Sequence, residues 1–487
     1  MTTPYTMLID GEAVLTERQL DVIDPATGTP FAQAPAATAA DLQRAVEAAQ
    51  RAFPAWRATN PAQRRAAVVQ AGQLIAEQAD ALAALLTQEN GRPLAFAKEE
   101  IVGAAYWMAE LARIEIPVEV IEDTPTRRIE VHREPLGVVC GLVPWNFPIL
   151  LAAWKIAHAL LTGNTIVLKP SPYTPLTTLR IGALLKDVFP KGVLNIIAGD
   201  DDLGPLMSAH KGFAKITFTG STATGKRIMA SAAVDLKRLT LELGGNDPAI
   251  VLADADVETV AQQLLFGAFI NSGQVCVAAK RIYIHADIYE ALRDRLHALI
   301  LGMKVGNGAE ADTVFGPVQN QRQYQRVKAL IEETRALGCV LLQGAPVHEQ
   351  GYFLPLTLVD NPPEDSRVVA EEAFGPIVPL LRFTDLEDVI TRANGTEYGL
   401  ACSVWSRDLA LAREVGLRLD AGTVQINQIL QSTPGTPLGG HKQSGLGVEN
   451  GLAGLLEFTQ TKAVFMPKPV AGSHNNEEHH EHHLQHS

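Results

Sequence analysis

Three residues in this 487-residue chain stand where side-chain chemistry is conceivable: Cys276, Glu242 and Asn146. Cys276 closes a Ser-Gly-Gln-Val-Cys loop in FINSGQVCVAAKR, between a long helical pattern and the strand-like run RIYIH. A lone thiol there is either a small core residue or a nucleophile, and no histidine lies close in sequence to form a Cys–His dyad. Glu242 ends an apolar strand in LELGGNDP, just before two glycines that let another segment or a cofactor approach closely. It is either a carboxylate salt-bridged at a strand end or a general base whose pKa climbs in a partly dry site. Asn146 lies between two aromatics in PWNFP, whose prolines stiffen a bend. Its amide is either a hydrogen-bonded turn residue or a preformed donor for a developing oxyanion.

A fourth feature, ITFTGSTATGKR, sets a glycine-bearing loop after a strand and before a helix. The free N–H groups and partial positive charge of a helix N-terminus suit a phosphate. Gly220-x4-Gly225-Lys226 satisfies most of a P-loop pattern, but Arg227 stands where a Ser or Thr must hold Mg²⁺, which disfavours a nucleotide hydrolase. The spacing also misses GxGxxG, so an ordinary strand–turn–helix connection stays equally open.

The elements that must position these residues follow from periodicity. A helix is expected from about residue 40, capped by Asp41, then a helix over 61–88 with Asn60 as cap and Pro61 first, and another over 94–114. Residues 125–139 alternate and predict an extended strand or a hairpin arm. Beyond them, NTIVLKP, VLNIIAG and AKITFTG alternate with helical segments, and a second such block runs from Ala249 to about Asn427. Strands alternating with helices predict an α/β fold with parallel sheets. The segment from Gly472 to Ser487, acidic and His-rich, lacks apolar periodicity and reads as a disordered tail.

Composition excludes several classes. The chain is 47% hydrophobic, enough for more than one buried core, and carries a formal charge of −13. An acidic protein lacks the basic face a dedicated nucleic-acid binder needs. Cys140, Cys276, Cys339 and Cys402 form no CxxC pair, so neither a disulfide framework nor a metal knuckle is expected. No signal peptide or membrane span is visible, which makes a cytoplasmic protein with no membrane partner the expectation.

Together the motifs decide among the alternatives. PWNFP, LKPS (Leu168 to Ser171), FTGST (Phe218 to Thr222), LELGG, FINSGQVC, EEAFGP (Glu371 to Pro376) and PLGGHKQSGLGVE (Pro437 to Glu449) follow one another over about 300 residues. In this order they resemble the NAD(P)-dependent aldehyde dehydrogenase superfamily, and the likeness covers residues 8–468. The resemblance implies a fold of two Rossmann-like parallel-sheet domains plus a small β oligomerisation arm. Residues 1–116 and 136–244 would form the cofactor-binding domain and 245–443 the catalytic domain. Residues 117–135 and 444–470 would form the arm and C-terminal segment, ahead of the tail at 471–487.

The resemblance also implies roles. Cys276 would attack an aldehyde, Asn146 and the Cys276 N–H would hold the oxyanion, and Glu242 would activate the water that hydrolyses the resulting thioester. Glu449 matches a second carboxylate assigned to proton relay. Trp145, Lys169, Ser171, Gly220, Ser221, Gly225, Leu243, Glu372 and Phe374 would contact the dinucleotide, with no metal. NAD is the expected cofactor; Pro172, where NAD-dedicated relatives often carry a glutamate, suggests that NADP is accepted too. Phe147, Trp154, Ile270, Val275, Val277 and Leu430 would line an uncharged substrate tunnel suited to an aromatic or medium-chain aliphatic aldehyde. The partners are then the aldehyde and further copies in a homodimer or homotetramer, with no nucleic acid. A catalytically silent, structural or ligand-binding family member is the alternative, and it would be expected to have lost Cys276, Glu242 or Asn146.

Overall fold

The structure, a computed structural model, describes residues 4–469; the segment 471–487, expected as a disordered tail, lies outside the described residues. Local chemistry sets the element ends. Thr38, not Asp41, caps the first helix, Ala39–Ala58: its hydroxyl accepts the Asp41 N–H at 3.2 Å while the Asp41 carboxylate accepts the Thr38 N–H at 2.9 Å. Asn60 caps the next helix with Pro61 in its first turn, as expected. That helix stops at Glu77, and the single helix expected over 61–88 is two, Pro61–Glu77 and Ala79–Asn90. The break at Gln78 lets both pieces lie along the helix Leu94–Leu111.

The arm expected over 125–139 is also divided. Arg127–Pro135 and Val138–Leu142 belong to different sheets, parted where the Asn164 side-chain oxygen accepts the N–H groups of Leu136 at 2.7 Å and Gly137 at 2.9 Å. Arg127–Pro135 is the middle strand of a three-stranded antiparallel sheet between Glu119–Asp123 and Thr459–Pro467. Val120, Ile121 and Phe465 of this small sheet stand exposed.

The first large sheet runs, edge to edge, Gly445–Leu446, Arg238–Glu242, Lys215–Thr219, Val138–Leu142, Thr165–Lys169, Leu194–Ile196, Met7–Ile9 and Glu12–Val14. Its five central strands are parallel. Counted along the chain they stand 5-4-1-2-3, the doubly wound order, so connections diverge between Val138–Leu142 and Lys215–Thr219. The loops leaving those two strands carry Trp145–Asn146 and Gly220–Ser221, at the carboxyl edge where such sheets bind ligands.

The second sheet runs Val340–Gln343, Thr357–Asp360, Ile377–Phe383, Arg281–His285, Pro248–Val251, Ala401–Trp405, Thr423–Ile426, parallel except for its first pair. Both of its faces are covered. Ile282 and Ile284 pack into one core and Tyr283 into the other, as the two-residue alternation of a strand requires. The α/β class and the paired parallel sheets match the sequence-based expectation. Among the described residues no helix is long and apolar enough to cross a membrane.

One connection matters most for the site. Glu242 ends a strand of the first sheet, Pro248 begins a strand of the second, and only Leu243–Asp247 lies between them. Cys276 sits shortly before the strand Arg281–His285, and Glu372 with Phe374 just before Ile377–Phe383. The carboxyl edge of one sheet thus faces the amino edge of the other.

Candidate active site

The segment that presents Cys276 is an unusual turn. The helix Val257–Phe269 ends in Asn271, Ser272 and Gly273, all left-handed, with φ of 52°, 56° and 74°. Left-handed non-glycine residues cost about 1–2 kcal/mol each, so surrounding contacts must hold them. Ser272 Oγ donates to the Gly316 carbonyl at 2.6 Å, and the Asn271 amide donates to the Asn146 carbonyl at 3.1 Å. A Cβ on Gly273 would collide with the Gly375 carbonyl, so glycine is required there.

Asn146 is brought directly to this turn: its side-chain amide donates to the Gln274 carbonyl at 3.0 Å. Its own backbone is fixed from the other side. Arg92 donates to the Asn146 carbonyl, pairs with Glu100, donates to Asn90 Oδ1 at 2.9 Å, and lies 4.4 Å over the Phe147 ring. Asn90 donates to the Trp145 carbonyl at 2.9 Å, and Glu100 accepts the N–H groups of Ile149 and Leu150 at 2.8 and 3.0 Å. The stretch ENGRPLAFAKEE therefore clamps the whole PWNFP bend, a role that sequence reasoning missed.

Glu242 is buried, and among the described residues its Oε1 has no hydrogen-bond partner. Burial drives its pKa well above the usual carboxylate range, and the charge of Glu449 adds to the effect, opposed by Lys155. Glu449 behaves oppositely: burial would raise it, but Lys155, as charge and hydrogen-bond donor, leads the groups that hold it below its usual range. Lys155 Nζ lies 2.7 Å from Glu449 Oε1 and donates to Thr219 Oγ1 at 2.9 Å and Thr217 Oγ1 at 3.2 Å. His158, one helical turn on, accepts the Asn450 N–H at Nε2, which leaves Nδ1 as the nitrogen donating to the Trp154 carbonyl at 2.7 Å. Burial lowers its pKa and keeps it neutral. The signal for Lys155 and His158 was present in PILLAAWKIAHALL, where two titratable side chains stand on an otherwise apolar helix and must find buried partners.

Burial pushes the Cys276 thiol up to about 12; Lys280 pulls the other way, while Asp247, Glu242 and Glu372 add to the rise. Cys140 and Cys402 are buried, and their thiols are pushed up by burial as well. Cys339, expected in the core, is only half-buried, because it stands just before Val340–Gln343, the strand at the sheet edge. All four thiols are free.

The residues expected to take a dinucleotide gather at the same edge. Trp145 meets Phe374 edge-on at 5.4 Å between ring centroids. Lys169 is buried, and among the described residues its ammonium uses one donor, to the Pro170 carbonyl at 3.3 Å. Burial pulls its pKa down to about 8, against the opposing charges of Asp201, Asp200 and Asp202. Ser171 Oγ accepts the Tyr173 N–H, and Ser221 Oγ caps the helix Thr222–Ala232 by accepting the Thr224 N–H, both at 3.3 Å. The Gly220 N–H donates to the Glu242 carbonyl at 3.0 Å. Gly225 lies against Leu243, where a Cβ would come within 2.6 Å of a leucine methyl. The Glu372 carboxylate rests on Gly244 and accepts the Gly245 N–H at 3.1 Å. A buried ammonium with spare donors, a helix N-terminus and a carboxylate on a glycine pair fit a dinucleotide.

Of the expected tunnel residues, Phe147 lies under Arg92, and Trp154 is buried against Trp107 at 5.7 Å between rings. Val275 is buried beside Cys276, while Ile270, Val277 and Leu430 are half-buried, Leu430 with φ of 59°. Val277 lines a small cavity with Gln425 and Ile429. Gln425 pins the following loop by bonding both backbone groups of Gln431, donating to its carbonyl at 3.0 Å and accepting its N–H at 3.1 Å.

Comparison with known proteins gives a consistent picture. The aldehyde dehydrogenase family model matches residues 13–464. Aldehyde dehydrogenase LUC3 of Fusarium sp is 41% identical over 469 residues, covering 96% of this chain and 99% of that protein. The NAD⁺ complex of an aldehyde dehydrogenase from Bacillus cereus superposes with a TM-score of 0.93 at 36% identity, covering 96% of this chain and 97% of that one. Betaine aldehyde dehydrogenase from Staphylococcus aureus, also solved with NAD⁺, gives 0.91 at 35% identity, covering 95% and 94%.

Proposed function

The chain belongs to the aldehyde dehydrogenase family, and we propose that it uses NAD to oxidise an apolar aldehyde to the carboxylic acid through a covalent intermediate on Cys276. One observation carries this reading most directly: a buried carboxylate with an unpartnered oxygen, Glu242, stands within electrostatic reach of a thiol whose turn is bonded to the Asn146 amide. Cys276 Sγ adds to the aldehyde carbon, and its proton passes to Glu242 or solvent. The Asn146 amide and the Cys276 N–H stabilise the oxyanion of the thiohemiacetal. When bound, NAD would supply the hydride acceptor for oxidation at this carbon, to the level of a thioester. Glu242 then takes a proton from water as the water attacks the thioester carbon, releasing the acid and restoring the thiol. Glu449 and Lys155 lead that proton away from the buried base.

Lys169, Ser221, Glu372 and Phe374 would hold the dinucleotide. The charges of Asp200, Asp201 and Asp202 act on Lys169 and would oppose an added 2′-phosphate, which supports NAD over the relaxed selectivity suggested by Pro172. An apolar substrate is supported by the lining. Arg92, the cation at the Phe147 wall, is already committed to Glu100, Asn90 and the Asn146 carbonyl, so no free cation awaits a substrate carboxylate there. The exposed apolar residues of the three-stranded sheet support its packing against a second copy, since an open edge invites pairing. Reduced-cofactor formation across an aldehyde panel tests the function. Benzaldehyde and hexanal are expected to outperform succinate semialdehyde, and Cys276→Ala to be inert; turnover by Cys276→Ala would overturn the mechanism.

A further inference from the structure

Lys280 is a charge that the mechanism above does not use. It is 5% exposed, and its ammonium donates to the Cys276 carbonyl at 2.5 Å. The same ammonium lies 3.5 Å from Glu372 Oε1, the oxygen that accepts the Gly245 N–H. Behind it stands Asp247, a buried carboxylate whose Oδ2 has no hydrogen-bond partner among the described residues. One cation thus touches the peptide of the nucleophile and the carboxylate that would hold a ribose.

We propose that Lys280 is a positioning residue that links cofactor binding to the nucleophile. Its ammonium holds the Cys276 carbonyl while sharing its charge with Glu372, so a ribose hydroxyl engaging Glu372 frees that charge to act on Cys276. The inference rests on the reading that Glu372 takes the ribose. Electrostatics agree with the geometry: of the charges acting on the Cys276 thiol, Asp247, Glu242 and Glu372 disfavour its ionised form and Lys280 favours it. A lysine lacking the Glu372 contact would serve as a plain peptide anchor. The 3.5 Å pair makes it a shared charge instead.

The test is the pH dependence of Cys276 alkylation by iodoacetamide in the cofactor-free protein, which needs no turnover. Lys280→Met is expected to slow alkylation about tenfold at neutral pH, the effect of one pKa unit, and to move the midpoint upward, with Lys280→Arg restoring most of the rate. Glu372→Gln is expected to accelerate alkylation, and to lose that effect in the Lys280→Met background, a non-additivity that reports the shared charge. A wild-type midpoint in Lys280→Met with unchanged thermal unfolding overturns the proposal, as does an equal effect of Glu372→Gln in both backgrounds. Should Lys280→Met fail to fold, a wild-type rate in Glu372→Gln overturns it alone. Failure of the underlying reading looks different: NAD affinity, followed by tryptophan fluorescence, would be unchanged in Glu372→Gln whatever the alkylation rates.

Discussion

Lys155 and Glu449 form a buried ion pair, 2.7 Å apart, that flanks Glu242 without neutralising it. The two buried carboxylates are pushed to opposite sides of their ordinary range, and Lys155, hydrogen-bonded to Glu449, favours the charged form there. This division of labour sets the first expectation.

Glu449→Gln removes one of the causes that raise Glu242. A general base works when deprotonated, so turnover falls as pH drops through the Glu242 pKa. The acid limb of the kcat profile is therefore expected to move to lower pH in Glu449→Gln. Because the variant also leaves Lys155 buried without its partner, stability should fall by about 3–5 kcal/mol, read by chemical denaturation. An acid limb that stays in place or moves upward contradicts the assignment.

Glu242→Gln separates chemistry from stability. Thioester hydrolysis should slow by roughly 10²–10⁴-fold, leaving a stoichiometric burst of reduced cofactor followed by a stall. The folded-state pKa of Glu242 is raised, so its protonated form is the one favoured by folding. The penalty for ionising it is absent below the unfolded carboxylate pKa and complete above the raised folded one. Thermal unfolding should accordingly show Glu242→Gln more stable than the parent at alkaline pH, with the difference vanishing in acid.

Arg92→Lys keeps the charge but loses the fork that reaches Glu100, Asn90 and the Asn146 carbonyl together. Looser placement of Asn146 should lower kcat by about 10–100-fold with little change in KM, since the oxyanion forms only after binding. An effect confined to KM would assign Arg92 to substrate binding.

Asp201→Ala tests cofactor choice. Asp200 and Asp202 also pair with Arg18, at 3.6 and 2.8 Å, and Asp201 is the largest of the three charges acting on Lys169. Its removal should improve kcat/KM for NADP by about tenfold, the size of one modest charge interaction, and leave NAD use nearly unchanged. Equal gains for both cofactors would remove Asp201 from the account.

Much of the fold was legible because alternation of strand and helix leaves a periodic trace. The strands NTIVLKP, AKITFTG and RIYIH stand where alternation put them. The breaks were not legible: Gln78 divides a helix, and Asn164 parts two strands, through contacts with residues distant in sequence. The same holds for the site. Cys276, Glu242 and Asn146 were visible as odd residue types in glycine- and proline-rich surroundings. Arg92, Glu100 and Lys280 were not, because a charged residue in a loop, on a helix or before a strand ordinarily faces water, and only tertiary packing buries these three.

The left-handed turn before Cys276 has a temporal consequence. Its two uphill residues, Asn271 and Ser272, are held by the carbonyl of Asn146, in a loop leaving the first sheet, and by that of Gly316, much farther along the chain. Local sequence would not choose this conformation, so the turn is stable only once both sheets have met. A nascent or half-assembled chain then carries Cys276 as an ordinary cysteine, and its station beside the Asn146 amide is acquired only at the end of folding. No fragment lacking either sheet should display the thiol environment of the whole.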